Sequence, residues 1–176
     1  ARRVDAVPTV NTDWWNYGGI TGDVSLVEVP DAFIQDYFVQ LAKGSRDEIA
    51  GWIQLNGANA PQQVKLEIPE AKIQQTVTTD ASGHAEFHFP AKLALWSPEN
   101  PKLYDVTLTS GADKITDQIG FRSIETQGTK ILLNGKPIVL RGIAAHDEAP
   151  LRGGRATTAD DAQTLFNYAK ELHFNF

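Results

Sequence analysis

His84-Ala85-Glu86-Phe87-His88-Phe89-Pro90 alternates polar and apolar side chains without a break, and Ser82-Gly83 stands just before it. Successive side chains of an extended strand point to opposite faces. Ala85, Phe87 and Phe89 therefore share one face, and His84, Glu86 and His88 share the other. A turn signal before the segment and a proline at its end bound it as a strand. The apolar set is expected to face a core and the polar set to face water. Two His and one Glu on one face also have the chemistry of metal ligands. Same-face neighbours stand about 6.5–7 Å apart along a strand, so a solvated face is the better reading and no metal is expected.

The same kind of pattern extends both ways, from Asp23 to about Glu125. Val24, Leu26 and Glu28 share one face of a first strand whose alternation is partial, with Val27 and Val29 on the other. Phe33, Gln35, Tyr37, Val39 and Leu41 share a mostly apolar face of the next. Ile49–Leu55, Val64–Ile68, Ile73–Thr79, Leu103–Leu108 and Lys114–Ser123 follow the same logic, separated by Asn56-Gly57, Pro69 and Ser110-Gly111. Roughly seven or eight short strands in about 100 residues predict an antiparallel β-sandwich of immunoglobulin-like type. Trp52 and Trp96 fall inside it and are read as core. Residues 1–21, rich in Asn, Asp, Trp and Gly, read as loop.

After Glu125 the pattern changes. Ile131-Leu132-Leu133 runs into Asn134-Gly135, a strong hairpin turn signal. Pro137 to Ala145 is mostly apolar, as expected of a strand buried on both faces. A loop follows. Thr158 then reads as a helix N-cap, with Asp161 three residues on and Asp160 also at the positive end. Ala162, Leu165, Phe166, Ala169 and Leu172 form one face of an amphipathic helix. His173–Phe176 reads as the next strand. Strand, loop, helix, strand is the opening βαβ unit of a parallel α/β fold. The sequence opens on Ala-Arg-Arg without Met and stops inside an apolar strand, so both ends are expected to be cut.

Bulk composition bounds the function. The 176 residues are 41% hydrophobic and 22% charged, enough for one or two domains with a core. Net charge is −6 and no basic stripe occurs, which argues against nucleic acid and anionic membranes as partners. With no cysteine there is no disulfide, thiol nucleophile or thiolate ligand. No apolar run approaches the roughly 20 residues of a membrane-spanning helix. No cofactor is expected, and the compartment stays open, a periplasmic or secreted location included.

Three segments, in order, resemble glycoside hydrolase family 2, of the β-galactosidase/β-glucuronidase type. Asp13-Trp14-Trp15-Asn16-Tyr17-Gly18-Gly19-Ile20 is similar to the end of that family's N-terminal jelly-roll. Leu95-Trp96-Ser97-Pro98-Glu99-Asn100-Pro101-Lys102-Leu103-Tyr104, with Gly120-Phe121-Arg122, resembles the late strands of its immunoglobulin-like domain. Leu133-Asn134-Gly135-Lys136-Pro137, Leu140-Arg141-Gly142-Ile143 and His146-Asp147-Glu148 resemble the entry into its TIM barrel. The resemblance covers nearly the whole chain. It implies a jelly-roll tail at 1–22, an immunoglobulin-like sandwich at 23–125 and the truncated start of a (β/α)8 barrel at 126–176. Where many members carry Arg, Asn and Glu, this chain has Gly22, Ala144 and Asp147.

Retaining glycosidases use two carboxyl groups about 5–5.5 Å apart, one as acid/base and one as nucleophile. In this family the acid/base follows an Asn on a later barrel strand, and no Asn-Glu pair occurs here. Neighbouring side chains of an extended chain point apart, so Asp147-Glu148 is no substitute. The resemblance thus implies that no catalytic residue lies in this chain and that it does not hydrolyse substrate alone. It does imply substrate-binding residues. Asp13 would accept hydrogen bonds from sugar hydroxyls, or else cap a loop. His146 falls just past the C-terminal end of the first barrel strand, where TIM-barrel sites gather, or else bonds a loop carbonyl. Asp147 and Glu148 would also face the sugar, or be solvated, or pair with Arg141 or Arg152. Trp14 and Trp15 would stack on sugar or, more commonly, pack between domains. Arg122 and Arg141 would pair with acids at the sandwich–barrel junction.

The implied parent cleaves a terminal β-linked sugar by double displacement, with galactoside first, glucuronide second and mannoside third. The Asn16-Tyr17 pair favours glucuronide somewhat. Its partner is the carbohydrate substrate, and a homo-oligomer stays open. A stand-alone carbohydrate-binding module with an exposed aromatic platform is a second reading, and a ligand-free structural sandwich a third. The second leaves residues 126–176 unexplained, and the third leaves Asp13–Ile20 and the βαβ opening unexplained.

Overall fold

The computed structural model describes residues 20, 22–145, 148–149, 151 and 154–175. The chain is mainly β and divides into two compact units, Val27–Ile138 and a second that holds Val139–Phe176 together with Ala1–Leu26.

In the first unit, β1 (Phe33–Leu41), β2 (Glu48–Asn56) and β5 (His84–Pro90) form one antiparallel sheet in the order β1-β2-β5. A second sheet has the order β4-β3-β6-β7, from β3 (Gln63–Ile68), β4 (Ile73–Thr78), β6 (Tyr104–Ser110) and β7 (Asp113–Ile119). Alternation explains what each strand buries. Ile49, Ile53 and Leu55 of β2, with Ala85, Phe87 and Phe89 of β5, are buried. So are Val64, Leu66 and Ile68 of β3 and Tyr104, Val106 and Leu108 of β6. Nearly all of these belong to one core between the two sheets, which also encloses Phe121 at 0% exposure. Each fully buried side chain of this size stabilises the fold by about 1.5–3 kcal/mol. Gly51 is required by packing: a Cβ there would lie 1.9 Å from the Phe38 carbonyl oxygen and 2.6 Å from the Phe87 ring.

A small third sheet follows, in the order β10-β9-β8, from β8 (Ile124–Gln127), β9 (Lys130–Leu133) and β10 (Lys136–Ile138). The expected hairpin turn is present. Asn134 and Gly135 both have positive φ, 52° and 78°, as a two-residue primed turn requires.

Four readings between residues 23 and 96 need correction. Residues 23–30 form no strand, and Leu26 is 101% exposed. Their partial alternation supplies no continuous apolar face to hold them in a sheet. In β1 the face is reset by a bulge between Ile34 and Asp36. Ile34 is therefore buried in place of Phe33 and Gln35, while Val39 keeps its expected side. Trp52 lies on the face opposite Ile49, Ile53 and Leu55 and is only half-buried. Trp96, too, is half-buried and outside the core cluster.

In the second unit, α1 (Ala159–Glu171) begins where expected. Thr158 Oγ1 accepts from the Asp161 N–H at 3.2 Å, and the Thr158 N–H donates to Asp161 Oδ2 at 3.1 Å. This reciprocal pair is a capping box. The expected strand over 137–145 is cut short, because only Lys136–Ile138 is paired and residues 139–145 are exposed without regular structure. A strand apolar on both faces needs neighbours on both edges and cover on both sides. Residues 173–175 likewise form no strand, and His173 takes a positive φ of 57°.

Candidate functional site

Three of the four proposed sugar-contacting residues, Asp13, His146 and Asp147, lie outside the described residues, as do Trp14 and Trp15. Glu148 is described. It is half-buried and forms an isolated antiparallel backbone bridge with Arg155. The Ala149 N–H donates to the Gly154 carbonyl at 2.8 Å, so the two ends of this loop are held together. Backbone bonding of this kind fixes where Glu148 leaves the chain.

The backbone at residues 139–141 is organised by Asn175. Its N–H donates to the Arg141 carbonyl at 2.8 Å. Its side chain accepts from the Arg141 N–H at 2.7 Å and donates to the Val139 carbonyl at 3.0 Å. The chain leaving α1 thus returns to lie beside residues 139–141. Beside the helix is an apolar groove of about 770 Å³, lined by Ile143, Ala145, Leu165, Phe166, Ala169 and Leu172 among others. Four of these carry the predicted apolar stripe of the helix or lie on it.

Arg122 does not meet an acid among the described residues. Its guanidinium lies over the Trp96 ring at 5.2 Å and donates to the Gly120 carbonyl at 3.1 Å. Trp96 is held from two sides: its N–H donates to the Phe121 carbonyl, and its carbonyl accepts from Asn134 Nδ2, both near 2.9 Å (2.8 and 2.9 Å). Asn134 Oδ1 also accepts from the Ser123 N–H at 3.0 Å. Asn134 was legible as a turn residue, but this second role depends on Trp96 and Ser123, which lie well away in sequence, and has no local signal.

His84, Glu86 and His88 occupy the water-facing side of β5. His84 Nε2 stands 3.9 Å from Glu86 Oε1, and His88 Nε2 stands 3.4 Å from Glu48 Oε2. Among the described residues no three such side chains converge on a point where an ion would sit. The side chain of Ser82 and then the His84 N–H hold the Asp80 carboxyl below its ordinary range. Those bonds fix the turn entering β5, with Asp80 Oδ1 accepting from Ser82 Oγ at 2.6 Å and from the His84 N–H at 3.0 Å. Burial, then the bond to Asp117, raises the Tyr37 phenol. Both are structural bonds of the first unit.

Comparison with known proteins gives a consistent picture. The model of the family described as glycosyl hydrolases family 2 matches residues 32–122. A β-galactosidase of Streptococcus thermophilus is 32% identical over 93% of this chain and 17% of its own length. A family 2 β-galacturonidase of Eisenbergiella tayi, solved with galacturonate bound, is similar with a TM-score of 0.66 and 26% identity, over 84% of this chain and 28% of that one. A β-glucuronidase of Lactobacillus rhamnosus gives 0.64 and 28%, over 84% and 25%. The chain spans about a sixth of the curated β-galactosidase it matches, 17% by length.

Proposed function

The chain belongs to family 2 of the glycosyl hydrolases, and from that membership we propose that it is a central, non-catalytic part of a retaining exo-β-glycosidase. The observation that carries this reading is the pairing of near-complete coverage of this chain with small coverage of its relative, 93% against 17%. The absence of an Asn-Glu pair from the sequence supports it.

The proposed layout is a jelly-roll tail at 1–22, an immunoglobulin-like sandwich at 23–125 and the start of a TIM barrel from 126. Two features support the immunoglobulin-like assignment. The sheets β1-β2-β5 and β4-β3-β6-β7 follow that topology, with the fourth strand on the sheet of the third, sixth and seventh. Tyr104, at the start of β6, accepts from the Ala94 N–H through its phenol oxygen at 2.9 Å, in the manner of a tyrosine corner. The barrel assignment draws support from the return of Asn175 beside Arg141 after α1, the connectivity of a βαβ unit. The exposed apolar run 139–145 and the open groove on α1 are surfaces that the following strands and helices of a barrel would cover.

In this reading the sandwich positions the jelly-roll against the barrel. Asp13, His146, Asp147 and Glu148 contribute to the sugar site, and the two carboxyl groups come from elsewhere in the parent. The reaction is hydrolysis of a terminal β-linked sugar through a covalent glycosyl-enzyme. Galactoside is the first choice because the curated relative is a β-galactosidase. Glucuronide or galacturonide is the second, because the solved neighbours act on uronides. The test is turnover of chromogenic β-galactoside, β-glucuronide, β-galacturonide and β-mannoside by this chain and by a chain extended through a complete barrel. Activity confined to the longer chain is expected, and the best substrate identifies the sugar. Turnover by the 176-residue chain alone would place the carboxyl pair within it and overturn the reading.

A further inference from the structure

The outer face of the β1-β2-β5 sheet holds a shallow, open cleft lined by Gln35, Asp36, Trp52, Gln54 and His84. Its shape follows from the bulge in β1. Ile34 pairs with Leu55 and Asp36 with Gln54, so Gln35 is the extra residue. A bulge interrupts alternation, and here Gln35 and Asp36 are both exposed while Ile34 is buried. The register then sets Asp36, Gln54 and His84 in one row across the sheet and Phe38, Trp52 and Glu86 in the next. The Trp52 and His84 rings stack with centroids 6.3 Å apart and planes at 29°.

The polar groups of the cleft are fixed but not saturated. Asp36 Oδ1 accepts from the Tyr37 N–H at 2.8 Å, which leaves the other carboxylate oxygen free. Gln54 Nε2 donates to the Leu55 and Ser82 carbonyls, both at 2.9 Å, which orients its amide and leaves Oε1 as an acceptor. The Gln35 amide has no bonded partner among the described residues. His84 Nε2 is 3.9 Å from Glu86, outside hydrogen-bond reach.

We propose that this cleft binds one pyranose ring of a neutral carbohydrate. A pyranose has an apolar C–H face and a rim of hydroxyls that both donate and accept. The Trp52 ring offers a surface for the face. Asp36 and Gln54 Oε1 accept from hydroxyls, while the Gln35 amide and the His84 ring donate to them. Asp36 and the neighbouring Glu86 disfavour an acidic sugar. The cleft lies wholly within Val27–Ile138 and uses none of the residues assigned to the glycosidase pocket. It therefore stands or falls independently of the hydrolytic reading.

The test is an amide-resolved NMR titration of the whole chain with methyl β-galactopyranoside, methyl β-glucopyranoside, glucuronate and sorbitol. Saturable shifts at residues 35, 36, 52, 54 and 84 are expected for the neutral pyranosides, with half-saturation on the order of 1–10 mM. Asp36→Asn and His84→Ala each lie on the sheet surface and are expected to weaken binding roughly tenfold with an otherwise unchanged spectrum. Trp52→Ala is expected to abolish it. No shift at these amides at about 100 mM sugar would overturn the proposal. So would equal shifts from sorbitol, which has hydroxyls but no ring face, or from glucuronate. Binding unmoved by both Asp36→Asn and His84→Ala would overturn it as well.

Discussion

Phe121 and Phe166 are the same residue in two regions of one chain, the first at 0% exposure and the second at 64%. The contrast runs through both units. Between Val27 and Ile138, apolar positions on alternating strands meet across two sheets and disappear from solvent. In the second unit α1 is capped and regular, yet it buries no residue, and Val139 is 76% exposed. A helix can be started by its own capping box and backbone. Burial needs a second surface, which the first unit makes for itself through long-range pairing.

The largest expected difference follows from this contrast. Phe121→Ala removes a ring packed edge-on against Tyr104, with centroids 6.0 Å apart, and should cost about 3–5 kcal/mol in urea unfolding. Phe166→Ala should change stability by no more than about 0.5 kcal/mol, because the ring already faces solvent. Comparable losses from the two would break the comparison and mean that the groove on α1 is closed by packing in solution.

Asn134→Ala sharpens it within the first unit. The substitution removes an acceptor for the Ser123 N–H and a donor to the Trp96 carbonyl, and it places Ala at a φ of 52°. Two bonds at about 1 kcal/mol each, with the added cost of positive φ, predict a loss of about 2–3 kcal/mol. Asn134→Asp keeps the acceptor and loses the donor, so it should recover about half. A loss under about 0.5 kcal/mol for Asn134→Ala, measured by thermal unfolding, would show that neither the two bonds nor the left-handed turn position holds this region.

What was legible in the sequence divides along the same line. Period-two alternation located β2 to β7, because each of those strands buries one face and the core records that face in residue type. Thr158, Asp160 and Asp161 located the helix start through interactions spanning four residues. The bulge at Gln35 was hidden, since Phe33, Gln35, Tyr37, Val39 and Leu41 read as one unbroken face. Only the pairing of Ile34 with Leu55 and Asp36 with Gln54 reveals the shift. Trp52 was legible and misread, because Ile49, Ile53 and Leu55 already set the opposite face. Residues 139–145 carry the composition of a central strand, but composition does not provide its neighbours. The sugar-site assignments at Asp13, His146, Asp147 and Glu148 rest on family resemblance, because no spacing rule relates residue 13 to residues 146–148.

The smallest expected effect tests whether the two units stand apart energetically. Thr158→Ala removes the oxygen that accepts the Asp161 N–H, while Asp161 Oδ2 can still accept from the Thr157 N–H at 3.0 Å. Half of the capping box survives, so the loss should be about 1 kcal/mol and local to the first turn of α1. Amide exchange at residues 160–163 should quicken, and the unfolding midpoint reported by the Val27–Ile138 core should not move. If the midpoint falls with the cap, the helix contributes to the stability of that core, and its open apolar face is not the independent surface that the contrast between Phe121 and Phe166 describes.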